Sequence, residues 1–225
     1  MTRFAQWQIG KTDKTMKMQT VSLLVDRLAA LPGSDRLFNP YTGEDSGASI
    51  RRRNLTLYLN DMLDRQPRTV MIFEAPGYRG CRFSGIPVTS ERIMLRGIEK
   101  WNLFGKGYEQ TSDVPGGIAE MTATILWEAL VEYADEPPLI WNTVPLHPHR
   151  HGKPMSNRTP SLAEQSAGAV MIDVMLEMFQ PARILAVGRT AERMLAERGC
   201  KAAALRHPSQ GGKPDFVRGL KEVFR

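Results

Sequence analysis

Cysteine is nearly missing from this 225-residue chain, which has only Cys81 and Cys200. Two thiols cannot ligate a four-thiolate iron–sulfur cluster or build a disulfide framework. Both are expected to be free thiols in a reducing compartment, with no cluster. No apolar run approaches the ~20 residues a membrane helix needs, and the N-terminus lacks a signal-peptide core. A cytoplasmic protein with no membrane partner is therefore expected. Repeats, low-complexity tracts and a dividing linker are also missing. Acids are in the minority: 30 Lys and Arg against 24 Asp and Glu give a net charge of +6 and a sequence pI near 9.5. A basic surface attracts polyanions and steers their approach, although charge alone does not name the partner. With 42% hydrophobic and 24% charged residues, the composition is that of a globular chain long enough to bury one core.

What is present alternates. Residues 1–19 show no sustained periodicity and read as an arm or loose cap. "TVSLLVDRLAAL" (20–31) has helical spacing and stops at Pro32-Gly33. "GSDRLFNPYTGEDSG" reads as loop, and a second helix is expected over 48–64. Short apolar runs follow: "TVMIF" (69–73), "PLIWNTV" (138–144), "ARILAVG" (182–188) and "KAAALR" (201–206). Amphipathic stretches at 116–134, 159–179 and 190–199 separate them, and a last helix is expected over 213–224. Short continuous strands alternating with helices predict a three-layer α/β/α sandwich around a mainly parallel four-stranded sheet. Residues 1–66 are expected to cap a core domain of 67–225, with one compact domain overall as the economical reading.

In such sheets ligands bind outside the carboxyl ends of the strands. Those ends read "EAPG", "NTVPLHPHRHGKPMSNRTP", "GRT" and "RHPSQGG", the most polar and Gly- and Pro-rich parts of the chain. In "HPSQGGKP", His207 follows the last strand, and Ser209, Gly211 and Gly212 lead into a helix whose N-terminal N–H groups suit a phosphate. An ordinary helix cap would use the same residues. Asn142 ends a buried strand, where its amide is costly unless paired. It can read an amide–carbonyl edge of the kind a pyrimidine presents, or tie down a neighbouring loop. The alternating His147, His149 and His151 hint at a metal, but prolines disrupt the spacing and no thiol or carboxylate is nearby, so no metal or other cofactor is expected. Arg150, Lys153 and Arg158 make that segment a basic loop suited to phosphate. In "FEAPGYRGCRFSGIPVTSE", Arg79 and Arg82 sit between Glu74 and Glu91. Glu91 reads equally as a water-orienting carboxylate and as the first-turn acid of a helix capped by Ser90. Arg51 to Arg53 in "IRRRN" read as a solvated run more readily than as a DNA contact.

Three of these segments, "EAPGYRGCRFSGIPVTSE", "WNTVPL…SNRTP" and "RHPSQGG", occur in order after strands and together resemble the uracil-DNA glycosylase superfamily, in its branches with Ala-Pro-Gly in the first motif. The similarity spans most of residues 68–225. The resemblance implies that Asn142 reads the extruded base and that His207 donates toward uracil O2 as negative charge develops. It implies that Ser209, Gly211, Gly212, Arg82 and Arg158 meet DNA phosphates, and that Glu74, Ala75, Pro76, Gly77, Tyr78 and Val88 shape the base pocket. Glu91 falls where one branch carries an aspartate thought to act on water.

Two departures stand out. Ala75 replaces the aspartate of the most active branch, and Val88 stands where relatives carry a phenylalanine that stacks on uracil, a contact worth ~1–3 kcal/mol. The motifs contain no lysine nucleophile, so strand cleavage is not expected. The expectation is a monofunctional DNA glycosylase acting on uracil or a related deaminated base in base excision repair. Its competitor is a weak or inactive module of the same fold that binds damaged or single-stranded DNA. A small-molecule nucleotide enzyme is disfavoured, because no P-loop or GxGxxG follows the first strand.

Overall fold

The computed structural model describes residues 14–43 and 46–225. The arm expected at the start therefore lies largely outside the described residues, and its last part is helical. The chain runs through α1 (Lys14–Ala30), β1 (Leu37–Phe38), α2 (Ser46–Arg65), β2 (Thr69–Phe73), α3 (Cys81–Ser84), α4 (Glu91–Arg96) and a 3-10 turn at Glu99–Trp101. It continues with α5 (Met121–Tyr133), β3 (Leu139–Asn142), β4 (His147–Pro148), α6 (Leu162–Phe179), β5 (Arg183–Val187), α7 (Arg189–Glu197), β6 (Ala203–Leu205) and α8 (Lys213–Val223).

β2, β3, β5 and β6 form a sheet in the order β3-β2-β5-β6, and every pairing is parallel. "TVMIF" and "LIWN" are buried throughout, as strands covered on both faces must be. α5 packs against α8, and α7 packs on β5 and β2. The right-handed crossover rule sets the β2–β3 connection on one face and the β3–β5 and β5–β6 connections on the other. The result is the expected α/β architecture, a parallel sheet flanked by helices.

The N-terminal helices share the core with the sheet. Leu24, Leu28 and Tyr58 belong to the same apolar cluster as Ile72, Ile140 and Leu185. α2 also protects the β3 edge, because the Ile140 N–H donates to Tyr58 Oη at 2.8 Å. An open edge would invite pairing with another chain. Burial raises the Tyr58 pKa above the usual tyrosine range.

The small antiparallel pair β1–β4 joins the segment after α1 to the segment after β3. The "RRR" run clamps this region. Arg51 Nε donates to Pro40 O, Arg52 Nη1 donates to Tyr41 O and Gly43 O, and Arg53 pairs with Glu109. That run is therefore neither a free solvated face nor a free cationic patch. Among the described residues, no helix is long and apolar enough to cross a membrane.

The chain leaves β2 toward β3 on one side and leaves β5 toward β6 on the other. Their carboxyl ends diverge, and the crevice expected at such a switch opens there.

Candidate functional site

A cleft of about 380 Å³ occupies that position. Four separate segments wall it: Phe73 to Gly77 after β2, Asn157 to Thr159 from the long loop after β3, His207 to Gln210 after β6, and Glu120 with Thr122 at the start of α5. Gly80, Cys81 and Val88 complete the lining. Of the expected base-pocket residues, Glu74, Ala75, Pro76, Gly77 and Val88 are brought together there, and Tyr78 is not. The Tyr78 backbone N–H is instead held by Asn157 Oδ1 at 2.9 Å, so Asn157 sets the Pro-Gly turn against the long loop.

His207 has a defined tautomer. The Ser209 backbone N–H, which can only donate, points at His207 Nδ1 at 3.1 Å, and Ser209 Oγ lies 2.8 Å from the same nitrogen. Nδ1 is therefore an acceptor, and the ring proton sits on Nε2. Burial, reinforced by nearby Arg206, lowers the pKa to about 4. The imidazole is neutral at ordinary pH and offers one N–H donor. Its ring stands edge-on to Phe73, with centroids 6.0 Å apart at 82°. Behind it runs the backbone of Gly188, where a Cβ would come within 3.3 Å of His207 Cβ and where φ is +89°. Ser209 is thus a partner of the histidine, and the phosphate role expected of it would have to be shared with that bond.

Asn142 does not line the cleft wall; its strand neighbour Phe73 does. It is paired in register with Phe73, and residues in register on neighbouring strands project to the same face of a sheet. Asn142 is 1% exposed, and neither its Nδ2 nor its Oδ1 makes a hydrogen bond within the protein. The loop-tying alternative fails on that point. Thr143 does the tying instead: its N–H donates to Phe73 O, and its hydroxyl donates to Glu74 O at 2.6 Å. A buried amide without partners costs about 1–3 kcal/mol, and such groups are rare enough to need an explanation.

Two carboxylates reach the cleft, and neither is Glu91. Glu74 accepts from the Thr190 hydroxyl on α7. β2 ends at Phe73, and the bend that follows lets both Glu74 and Ala75 line the cleft. Glu120 is the N-cap of α5, accepting from Thr122 N–H at 2.9 Å and Ala123 N–H at 2.6 Å. Sequence reasoning missed Glu120, because a glutamate is not among the usual capping residues and it sat inside a longer expected helix. Glu91 corrects the catalytic expectation. It is fully buried, outside the cleft lining, and accepts from the N–H and hydroxyl of both Thr111 and Ser112 and from the Ile118 N–H. Its carboxylate is spent on fixing the 111–118 loop, while Ser90 caps α4 as the sequence suggested.

The cations expected on phosphate are otherwise engaged. Arg82 lies over the Phe38 ring at 3.8 Å and donates to His147 Nδ1 at 3.2 Å. Arg158 lines the cleft but forms a two-pronged ion pair with Glu164, whose pKa that contact lowers to about 2. Gly211 and Gly212 make the turn into α8 without lining the cleft. His147 is buried between Arg82 and Ser156 O, accepting on Nδ1 and donating from Nε2. Burial lowers its pKa to about 4. His149 stacks on it at 5.6 Å, and His151 pairs with Asp35. The histidines thus serve three separate structural contacts.

Val88 lines the cleft with φ at +45°, uncommon for a β-branched residue and a strain of about 1–3 kcal/mol. Trp127 holds it there, donating its indole N–H to Val88 O at 3.2 Å.

No protein-family profile matches this chain, and comparison with curated proteins gives no match either.

Proposed function

We propose that this chain is a monofunctional DNA glycosylase that draws uracil or a related deaminated base into the cleft and hydrolyses its N-glycosidic bond. The buried, partnerless amide of Asn142 carries the reading. A group kept in that state has an unmet donor and acceptor side by side, the complement of the amide–carbonyl edge of a pyrimidine. Burying a polar edge that stays unsatisfied until ligand arrives is how a site rejects anything lacking the matching groups.

The chemistry follows from charge. Breaking the sugar–base bond leaves the bonding pair on the base and cationic character on the sugar, and water then adds to the sugar carbon. A neutral His207 Nε2–H stabilises the departing base without first surrendering a proton. The carboxylates of Glu74 and Glu120 offset the positive sugar and can accept from the attacking water. A base must leave the stack to reach such a site, and the walls from four segments suit a closed pocket.

A second reading, a DNA-binding module without chemistry, is favoured by two features: the resemblance sets Ala75 where the most active branch carries an aspartate, and Glu91 is locked into a loop. One assay separates the two readings. Single- and double-stranded oligonucleotides carrying uracil, hypoxanthine or xanthine are incubated with protein and treated with alkali. Strand breaks at the modified base that vanish in Asn142→Ala and His207→Ala support the glycosylase. Tight binding with no breaks supports the module.

A further inference from the structure

Glu74 leaves the central strand β2 between two neighbours that hold it in different ways. We infer that Thr190, in the first turn of α7, is a positioning residue that aims the Glu74 carboxylate at the attacking water, an inference that rests on the glycosylase reading above.

The main chain of Glu74 is fixed from the β3 side. The ladder between β2 and β3 runs on past both strand ends: Thr143 N–H donates to Phe73 O at 2.7 Å, and Val144 N–H donates to Glu74 O at 3.0 Å. The Thr143 hydroxyl donates to the same Glu74 carbonyl at 2.6 Å. With two donors on that carbonyl, the freedom left to Glu74 is in its side chain. A glutamate has several rotatable bonds, and ordering them carries one of the larger side-chain entropy costs.

That freedom is taken up from the β5 side. β5 flanks β2 opposite β3, and α7 follows it directly. Thr190 Oγ1 on α7 donates to Glu74 Oε2. A β-branched side chain is stiff about its first bond, so this hydroxyl is a well-fixed donor. Gly188, with φ at +89°, turns the chain from β5 into α7, a backbone state that suits glycine. An added Cβ on that glycine would come within 3.3 Å of His207 Cβ. One turn therefore sets both the histidine proposed to meet the base and the threonine that holds the acid.

The contact is one-sided. Thr190 takes up Oε2, and Oε1 makes no hydrogen bond or ion pair with the described residues. Glu120 differs, because its two oxygens accept from Thr122 N–H and Ala123 N–H. Glu74 is thus the carboxylate with an acceptor to spare in the cleft it shares with His207. Water adds to the sugar carbon through its oxygen and passes one proton to Oε1, while the bonding pair leaves with the base.

The test is single-turnover excision from the lesion oligonucleotide that the wild type processes fastest in the assay above. DNA affinity is read separately by fluorescence anisotropy, and folded fraction by circular dichroism. Thr190→Val keeps the size and branching but has no donor, whereas Thr190→Ser keeps the donor. Thr190→Val should lower the rate per folded molecule by ~10–10²-fold, the scale of a misplaced catalytic group, with DNA affinity unchanged. Thr190→Ser should recover most of that loss. In a Glu74→Ala background there is no carboxylate to aim, so Thr190→Val should cost nothing further, the non-additivity of residues that act as a unit. Equal losses for Thr190→Val and Thr190→Ser overturn the positioning role. So does a Thr190→Val loss that persists undiminished in the Glu74→Ala background, or one carried wholly by weaker DNA binding. Wild-type excision that Thr190→Val leaves unchanged overturns this inference alone. A wild type that removes no base from any of the oligonucleotides overturns it together with the glycosylase reading.

Discussion

The backbone N–H of Ser209 donates to Nδ1 of His207 at 3.1 Å, so the chain itself, and not a side chain that could rotate away, sets which nitrogen carries the proton. The consequence can be tested with two substitutions. Ser209→Ala removes the hydroxyl but keeps the N–H, so single-turnover excision should fall only a few-fold. His207→Ala removes the donor, and losing one such preorganised donor typically lowers the rate ~10²–10³-fold. Equal losses for the two variants would show that the hydroxyl sets the tautomer.

The pH dependence follows from the same ring. With its pKa lowered to about 4, His207 stays neutral where a free histidine near 6.5 would titrate. The chemical step should be flat from about pH 5.5 to 8 and fall only toward pH 4. Stability responds in the same window. Between 6.5 and about 4 the unfolded chain takes up protons on His147 and His207 that the folded chain refuses. The unfolded state binds more protons there, so stability drops as pH falls through that window and is level above it. Urea midpoints at pH 7, 6 and 5 would decline in that order, and His147→Gln should flatten part of the decline.

With Asn142 reading the base as proposed, its amide sets function against stability. Replacing it with leucine, similar in size, removes an unsatisfied donor and acceptor from the core, which should raise stability by about 1–3 kcal/mol while abolishing excision. A higher melting temperature together with lost activity is the expected pair of results. A lower melting temperature would mean the amide is already satisfied in the folded protein.

Much of this was legible in the sequence where one local signal carried one meaning. "TVMIF" and "LIWN" read as buried strands and are. The residues just after them read as a ligand crevice because ligands in parallel sheets bind outside the carboxyl ends of the strands. What escaped depended on distant partners. Glu91 has one sequence signature for two jobs, and the donors that decide between them lie 20 to 27 residues later in an aperiodic loop. Arg82 read as a free cation because Phe38 and His147, neighbours across the β1–β4 pair that together hold it, lie far from it in sequence on either side. Tyr78 was expected in the pocket from the resemblance of the first motif, and the Asn157 contact that turns its backbone crosses 79 residues.

Glu91 therefore predicts the opposite pattern to Asn142. Glu91→Gln puts an amide N–H₂ among N–H and hydroxyl donors that need acceptors, and a buried donor left without a partner costs about 1–3 kcal/mol. The urea midpoint should drop, while excision per folded molecule stays near wild type. Glu74→Gln should do the reverse, sparing stability more than rate, while Glu120→Gln should lower both, because both Glu120 oxygens accept N–H groups at the start of α5. Loss of rate confined to Glu91→Gln, with stability intact, would return Glu91 to the catalytic role.

The turn under the histidine allows the most local test. At Gly212, the N-cap of α8, an added Cβ would sit 2.1 Å from His207 O and 3.1 Å from Ser209 O. Both obstacles are backbone and cannot swing aside as a side-chain tip would. Gly212→Ala must displace the His207–Ser209 turn, costing stability and moving the Nε2 donor, and misplacement by about 1 Å can cost ~10²-fold in rate. Gly211→Ala is the matched control. An added Cβ there meets nothing within 4 Å, although φ is +75°, so it carries backbone strain without the clash. Gly212→Ala should lose far more activity than Gly211→Ala at matched folded fraction, and equal losses would mean that general loosening of the turn, not the position of His207, governs the rate.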